Sequence, residues 1–129
     1  MKKIILLLCL GLFIFSSCKK EYIPVNNNQT ILFDVPSSNW GTSDGGVTYD
    51  ISLAVPEITS YFNSTGQVSV YISYGNGVYE QIPEVYNDVS LSFTHNTGNV
   101  SVYAQDLTHV GMPPPASATI KVILTGSSQ

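Results

Sequence analysis

Along most of the chain apolar and polar residues alternate with a period of two, the spacing at which successive side chains of an extended strand point to opposite faces. The clearest run sets Val47, Tyr49, Ile51, Leu53 and Val55 against Thr48, Asp50, Ser52 and Ala54. Ile31, Phe33 and Val35 form a shorter one that Pro36 closes, and Val68, Val70, Ile72 and Tyr74 oppose Ser69, Tyr71 and Ser73. Further along, Val89, Leu91 and Phe93, then Val100, Val102 and Ala104, and finally Ala118, Ile120, Val122 and Leu124 repeat the pattern. Each run predicts a half-buried strand with one wet face. With a return strand from Val78 to Ile82, the chain predicts an all-β fold, an antiparallel β-sandwich of about seven strands, Ig-like or related.

The interruptions have their own chemistry. Pro56 suits a first helical position, Glu57 a first turn, and Ile58 and Phe62 lie one helical turn apart, which predicts one short helix ended by Asn63 to Gly66. Gly75-Asn76-Gly77 joins two strands, and a three-residue loop there aligns Val78 with Tyr74 and Ile82 with Val70. Asn96 to Asn99 closes a second hairpin. Asp106 to Ser117 reads as a long loop, extended where Pro113, Pro114 and Pro115 follow one another.

The chain before the first strand follows a different pattern. Lys2 and Lys3 precede an apolar run from Ile4 to Phe15, then Ser16-Ser17-Cys18 and an abrupt polar shift. The run is shorter than the roughly 20 residues a membrane span needs, and it has the layout of a secretory signal. Phe15 to Cys18 resembles a bacterial lipobox, so Cys18 is the expected site of acylation, palmitate included. The chain thus divides into a lipoprotein signal peptide over 1–17, a lipidated Cys18 with a flexible tether over 18–29, and the β-sandwich over 30–129. Cell-envelope localisation follows, at the outer membrane, with the membrane itself as one partner through the lipid.

Charge narrows the range of partners. From Thr30 onward the only base is Lys121, against eight acids, and the chain has no arginine. Such a domain repels phosphate backbones, which excludes nucleic acid, and favours a neutral glycan or an envelope protein. With no cysteine after Cys18, the domain folds on its apolar core without a disulfide framework.

Candidate chemistry is sparse. His95 and His109 have no Cys, His or Glu at ligand spacing, so no metal site and no cofactor are expected. A catalytic triad would have to recruit His95 or His109, and catalysis is not expected. Asp44-Gly45-Gly46 lacks the dense acids of a calcium loop and reads as a turn. Aromatics carry the remaining signal. Tyr71 and Tyr79 lie on a polar face and Trp40 in a Gly- and Ser-rich loop, where rings with polar tips can stack on sugars or anchor an interface.

The runs Val55-Pro56-Glu57-Ile58-Thr59, Gly66 to Tyr71, Gln81-Ile82-Pro83 and Ile120 to Ile123 resemble a group of small Bacteroidota-type lipoproteins with a single all-β domain. That resemblance implies a fold and an anchor and brings no activity with it. The expected role is a lipid-anchored, non-enzymatic binding or structural module. A carbohydrate-binding accessory lipoprotein is the alternative, and a hydrolase the distant third.

Overall fold

The structure is a computed structural model, and it describes residues 28–127. The expected signal peptide, Cys18 and the expected tether up to residue 27 lie outside the described residues. Among the described residues eight strands are present: β1 (Gln29–Val35), β2 (Thr48–Ala54), β3 (Gln67–Ser73), β4 (Glu80–Ile82), β5 (Glu84–Tyr86), β6 (Val89–Asn96), β7 (Asn99–Asp106) and β8 (Ala118–Thr125). Among the described residues one α-helix, α1 (Ser60–Thr65), precedes β3, and a short 3-10 turn spans Ser37–Asn39. The strands form two four-stranded antiparallel sheets, in the orders β1-β8-β3-β4 and β2-β7-β6-β5. No helix among the described residues is long and apolar enough to cross a membrane.

The period-two alternation becomes burial because each sheet turns one face inward. Val70, Ile72, Ile120 and Val122 from one sheet and Val100 and Val102 from the other have no exposed surface. The alternate residues lie on the outer faces, with Ser52 in register with Ser101 and Asp50 with Tyr103. Two positions depart from the simple alternation. Phe93 is only partly buried although its neighbours face the core. Ser73, on the outer side of β3, is buried, and its hydroxyl and the backbone of Gly75 hydrogen-bond one another where the hairpin begins.

Hairpin β3–β4 adopts the three-residue register, with Val70 opposite Ile82 and Ile72 opposite Glu80. Ladder pairing starts only at Glu80, so the return strand is shorter than Val78 to Ile82. The Ile82–Pro83 bond is cis, and β5, which sequence alternation does not predict, follows at once in the other sheet. Three residues between Pro83 and the Asn87-Asp88 turn are too few to display a period.

The helix begins later than Pro56. Thr59 is its N-cap, its hydroxyl accepting from the Phe62 amide at 3.1 Å, which satisfies one of the orphan donors of the first turn. Pro56 and Glu57 instead form a turn that drops Ile58, with no exposed surface, into the core. The Ile58 carbonyl accepts from Gly98 and the Gly98 carbonyl from Val55, locking this turn to the β6–β7 hairpin.

These links define two ends of the sandwich. At the near end the chain enters at Gln29, with α1 and the β6–β7 turn beside it. The far end carries the β1–β2, β3–β4, β5–β6 and β7–β8 connections. There the proline segment is pinned by the β1–β2 loop: Ser37 Oγ donates to the Pro115 carbonyl at 2.6 Å, Tyr49 Oη to the Met112 carbonyl at 2.9 Å, and the Met112 amide to the Gly46 carbonyl at 3.0 Å.

Asp106 organises the start of that segment. Its carboxylate accepts from the Thr108 hydroxyl at 2.7 Å, the Thr108 amide at 2.9 Å and the Gly111 amide at 2.9 Å. Hydrogen bonds from Thr108, then the backbone of Gly111, hold its carboxyl below the ordinary aspartate value. A lowered folded-state pKa stabilises above the unfolded value and ceases to do so as pH falls through the folded one. Asp106→Asn should therefore melt below the wild type at neutral pH, with the gap closing on acidification below about pH 4. Thermal melts across that range check it, and a gap independent of pH would refute the role of the charge.

Candidate functional site

Three aromatic residues stand out in the sequence, and the structure separates them. Trp40 is buried in the core at 5% exposure. The loop carrying it is tied to β2 by a Gly41–Asp50 bridge whose two hydrogen bonds are both 2.9 Å, and this turns the indole inward. Its Nε1 has no hydrogen-bond partner among the described residues. Trp40 thus plugs the sandwich instead of offering a surface ring. Its burial is set by a bridge that local composition does not reveal.

Tyr71 and Tyr79 do come together on the outer face of the first sheet, around the single base of the domain. Lys121, in register with Tyr71, places Nζ 4.9 Å from the Tyr71 ring centroid and 3.9 Å from that of Tyr79. Such cation–π contacts contribute roughly 0.5 to 1 kcal/mol each at exposed sites. They also cover part of each ring, so Tyr71 is half-buried and Tyr79 retains 36% exposure.

The histidines lie at opposite ends. His95 Nδ1 is 2.8 Å from Asn63 Oδ1, fastening β6 to α1, while His109 sits in the β7–β8 loop with a positive φ of 59°. Asp44 is occupied by turn chemistry: its Oδ1 accepts from the Thr48 amide at 2.8 Å and the Thr42 hydroxyl at 3.0 Å, and the Thr48 amide is the first cause of its lowered pKa.

A concave surface that the sequence does not announce lies at the far end, on the two sides of Tyr74. One hollow, of about 330 Å³, is bounded by Asp34, Pro36, Ser73, Gly75 and Ser117. The other, of about 260 Å³, opens between β4 and β5. Its floor comes from Val89, Leu91 and Ala104 with Met112 and Pro115, and its rim from Tyr74, Tyr86, Glu80 and Glu84. Seven of the nine large apolar side chains exposed among the described residues are on this end or beside it: Tyr74, Val78 and Tyr79 at the hairpin, Val85 and Tyr86 on β5, Leu107 and Val110 after β7. Only Leu32 and Tyr61 lie elsewhere.

The rim is electrically distinctive. Burial, then a hydrogen bond and repulsion from Glu80, push the Glu84 carboxyl above the usual glutamate range. Burial also raises the Tyr74 hydroxyl, with Glu80 and Glu84 adding to the effect. Sequence reasoning places Tyr74 on an inward face and passes over Glu80, Glu84 and Tyr86. The groove takes residues from strands far apart in sequence, and its clearest local sign is an exposed pair of apolar residues, Val85-Tyr86, between two turns.

No family model matches this chain, and neither a curated protein nor a solved structure is found to be similar to it.

Proposed function

We propose that this chain is a lipid-anchored module of the cell envelope, tethered to the outer membrane through acylated Cys18, that works without catalysis by presenting the far end of its sandwich to a partner. One observation carries the reading. Exposed apolar side chains gather at the end opposite Gln29, where the chain leaves any anchor at Cys18, and grouped apolar exposure on a small domain marks an interaction surface. Holding the near end at a lipid surface turns the far end toward whatever approaches.

Two measurements test it. Wild-type chain produced in a diderm bacterium should incorporate an alkyne-tagged palmitate and partition into detergent, whereas Cys18→Ala should do neither. Equal labelling removes the anchor from the reading. Replacing Val85 and Tyr86 together with serine should leave the melting temperature close to wild type, since their exposures are 64% and 73%, and should sharply reduce retention on immobilised envelope proteins. Leu32→Ser, away from the far end, should leave retention unchanged, and the reverse ranking would place the surface elsewhere.

A second reading, a carbohydrate-binding accessory lipoprotein, draws support from the rings of Tyr74 and Tyr86 at the rim of the groove, which can stack on a neutral sugar. Glycan-array binding that disappears in Tyr86→Ser would select it.

A further inference from the structure

The groove between β4 and β5 carries a charge that the domain leaves unanswered. Glu80 and Glu84 stand on either side of the corner at Pro83, and both line the groove. The only base among the described residues, Lys121, is engaged with Tyr71 and Tyr79 on the outer face of the sheet. The other titratable groups lining the groove are the tyrosines, Tyr74 and Tyr86. β6, β7 and the proline segment bring only neutral residues, among them Leu91, Ala104 and Met112.

Two carboxyl groups lining one groove with an apolar floor disfavour joint ionisation, consistent with the raised Glu84 carboxyl. A cation on a long apolar stem relieves this arrangement. Its charged head pairs with the carboxylates while its methylenes lie along the floor. The strand edges favour an extended carrier for that cation. β4 and β5 are the outermost strands of their sheets, so each has a free backbone edge next to the groove, to which a peptide can add main-chain hydrogen bonds. A volume of about 260 Å³ falls below the roughly 300 to 1,000 Å³ usual for small-molecule sites and suits a side chain.

We infer that this groove docks an extended segment of a partner protein presenting a lysine or arginine between apolar residues, the base reaching Glu80 and Glu84 and its neighbours packing on Tyr74 and Tyr86. This rests on the reading of the far end as the binding surface and adds the chemistry of what binds there.

The experiment uses the full chain in detergent and three short synthetic peptides, identical except for a central lysine, glutamine or glutamate flanked by valine and threonine. By calorimetry the lysine peptide should bind roughly tenfold more tightly than the glutamine peptide, with the glutamate peptide weakest. The advantage should grow as pH rises through the raised Glu84 value, because ionisation creates the charge the lysine meets. In Glu80→Gln/Glu84→Gln it should vanish, while the melting temperature stays at or above wild type because the repulsion is gone. Equal affinity for the lysine and glutamine peptides, failure of all three to bind, or a lysine preference that survives in the double variant would each overturn the inference. If it falls while Val85→Ser/Tyr86→Ser still loses retention on envelope proteins, the far end remains the binding surface with a partner of different chemistry. Retention unchanged in that variant would bring down the parent reading itself.

Discussion

Ile72→Ala should lower the stability of the domain by about 2 to 5 kcal/mol, the range for truncating a fully buried aliphatic side chain. Ile72 has no exposed surface and sits between Glu80 on β4 and Ile120 on β8, so neighbours on both sides hold the backbone and limit collapse into the space left behind. The residual cavity, added to lost transfer energy, puts such substitutions well above the average point mutation. Ser52→Ala supplies the contrast. Its hydroxyl lies on the outer face of β2 and donates to Asn99 Oδ1 at 2.6 Å, so its loss should stay within about 1 kcal/mol. Urea midpoints of the two variants check the pair. Similar losses at both would mean that the outer face of the second sheet is also covered.

Gly46→Ala should cost about 2 to 4 kcal/mol, from two additive sources. Gly46 has φ of +87°, in the left-handed region that disfavours any residue with a Cβ. An added Cβ would also stand 2.7 Å from the Met112 carbonyl oxygen and 3.1 Å from Tyr49 Oη. The first of these atoms is backbone and cannot swing aside, and it is the same oxygen that accepts from Tyr49. Relief therefore means moving the proline segment off the β1–β2 loop. Gly45→Ala makes a sharp control: its φ is +73°, yet nothing lies within 4 Å of the added atom, so only the conformational part of the loss should appear. Equal melting temperatures for the two variants would show that the contact with Met112 yields freely.

Which parts of this structure can be read from sequence follows from the range of the interactions involved. Alternation marks β2, β7 and β8 because one face of each is buried along its whole length, and the pattern repeats at every second residue. The β3–β4 register is legible because a three-residue turn leaves a single pairing of flanking residues. Partition of the strands between sheets is not legible, since β1 reaches its partner β8 across nearly the whole domain. Trp40 is read as a loop ring because composition describes its neighbours in sequence, whereas the Gly41–Asp50 bridge sets its neighbours in space. The site follows the same rule. Tyr71 and Tyr79 are found because they share one hairpin, while the groove draws on β4, β5, β6, β7 and the proline segment together.

The place of β8 between β1 and β3 has a consequence for the order in which the molecule can form. As a chain emerges from its amino end, the β6–β7 hairpin closes locally and β2 can join it, so the second sheet can assemble early. β1 remains unpaired, and the β3–β4 hairpin lacks its other neighbour, until the segment beginning at Ala118 arrives, because it supplies a hydrogen-bonding partner to both β1 and β3. Until then the first sheet has no middle, and Ile120 and Val122 are missing from the core. Such late, long-range closure makes folding slow relative to synthesis and keeps a nascent chain open. Export through a translocation pore, as the proposed envelope location requires, calls for a chain kept in that condition until β8 is through.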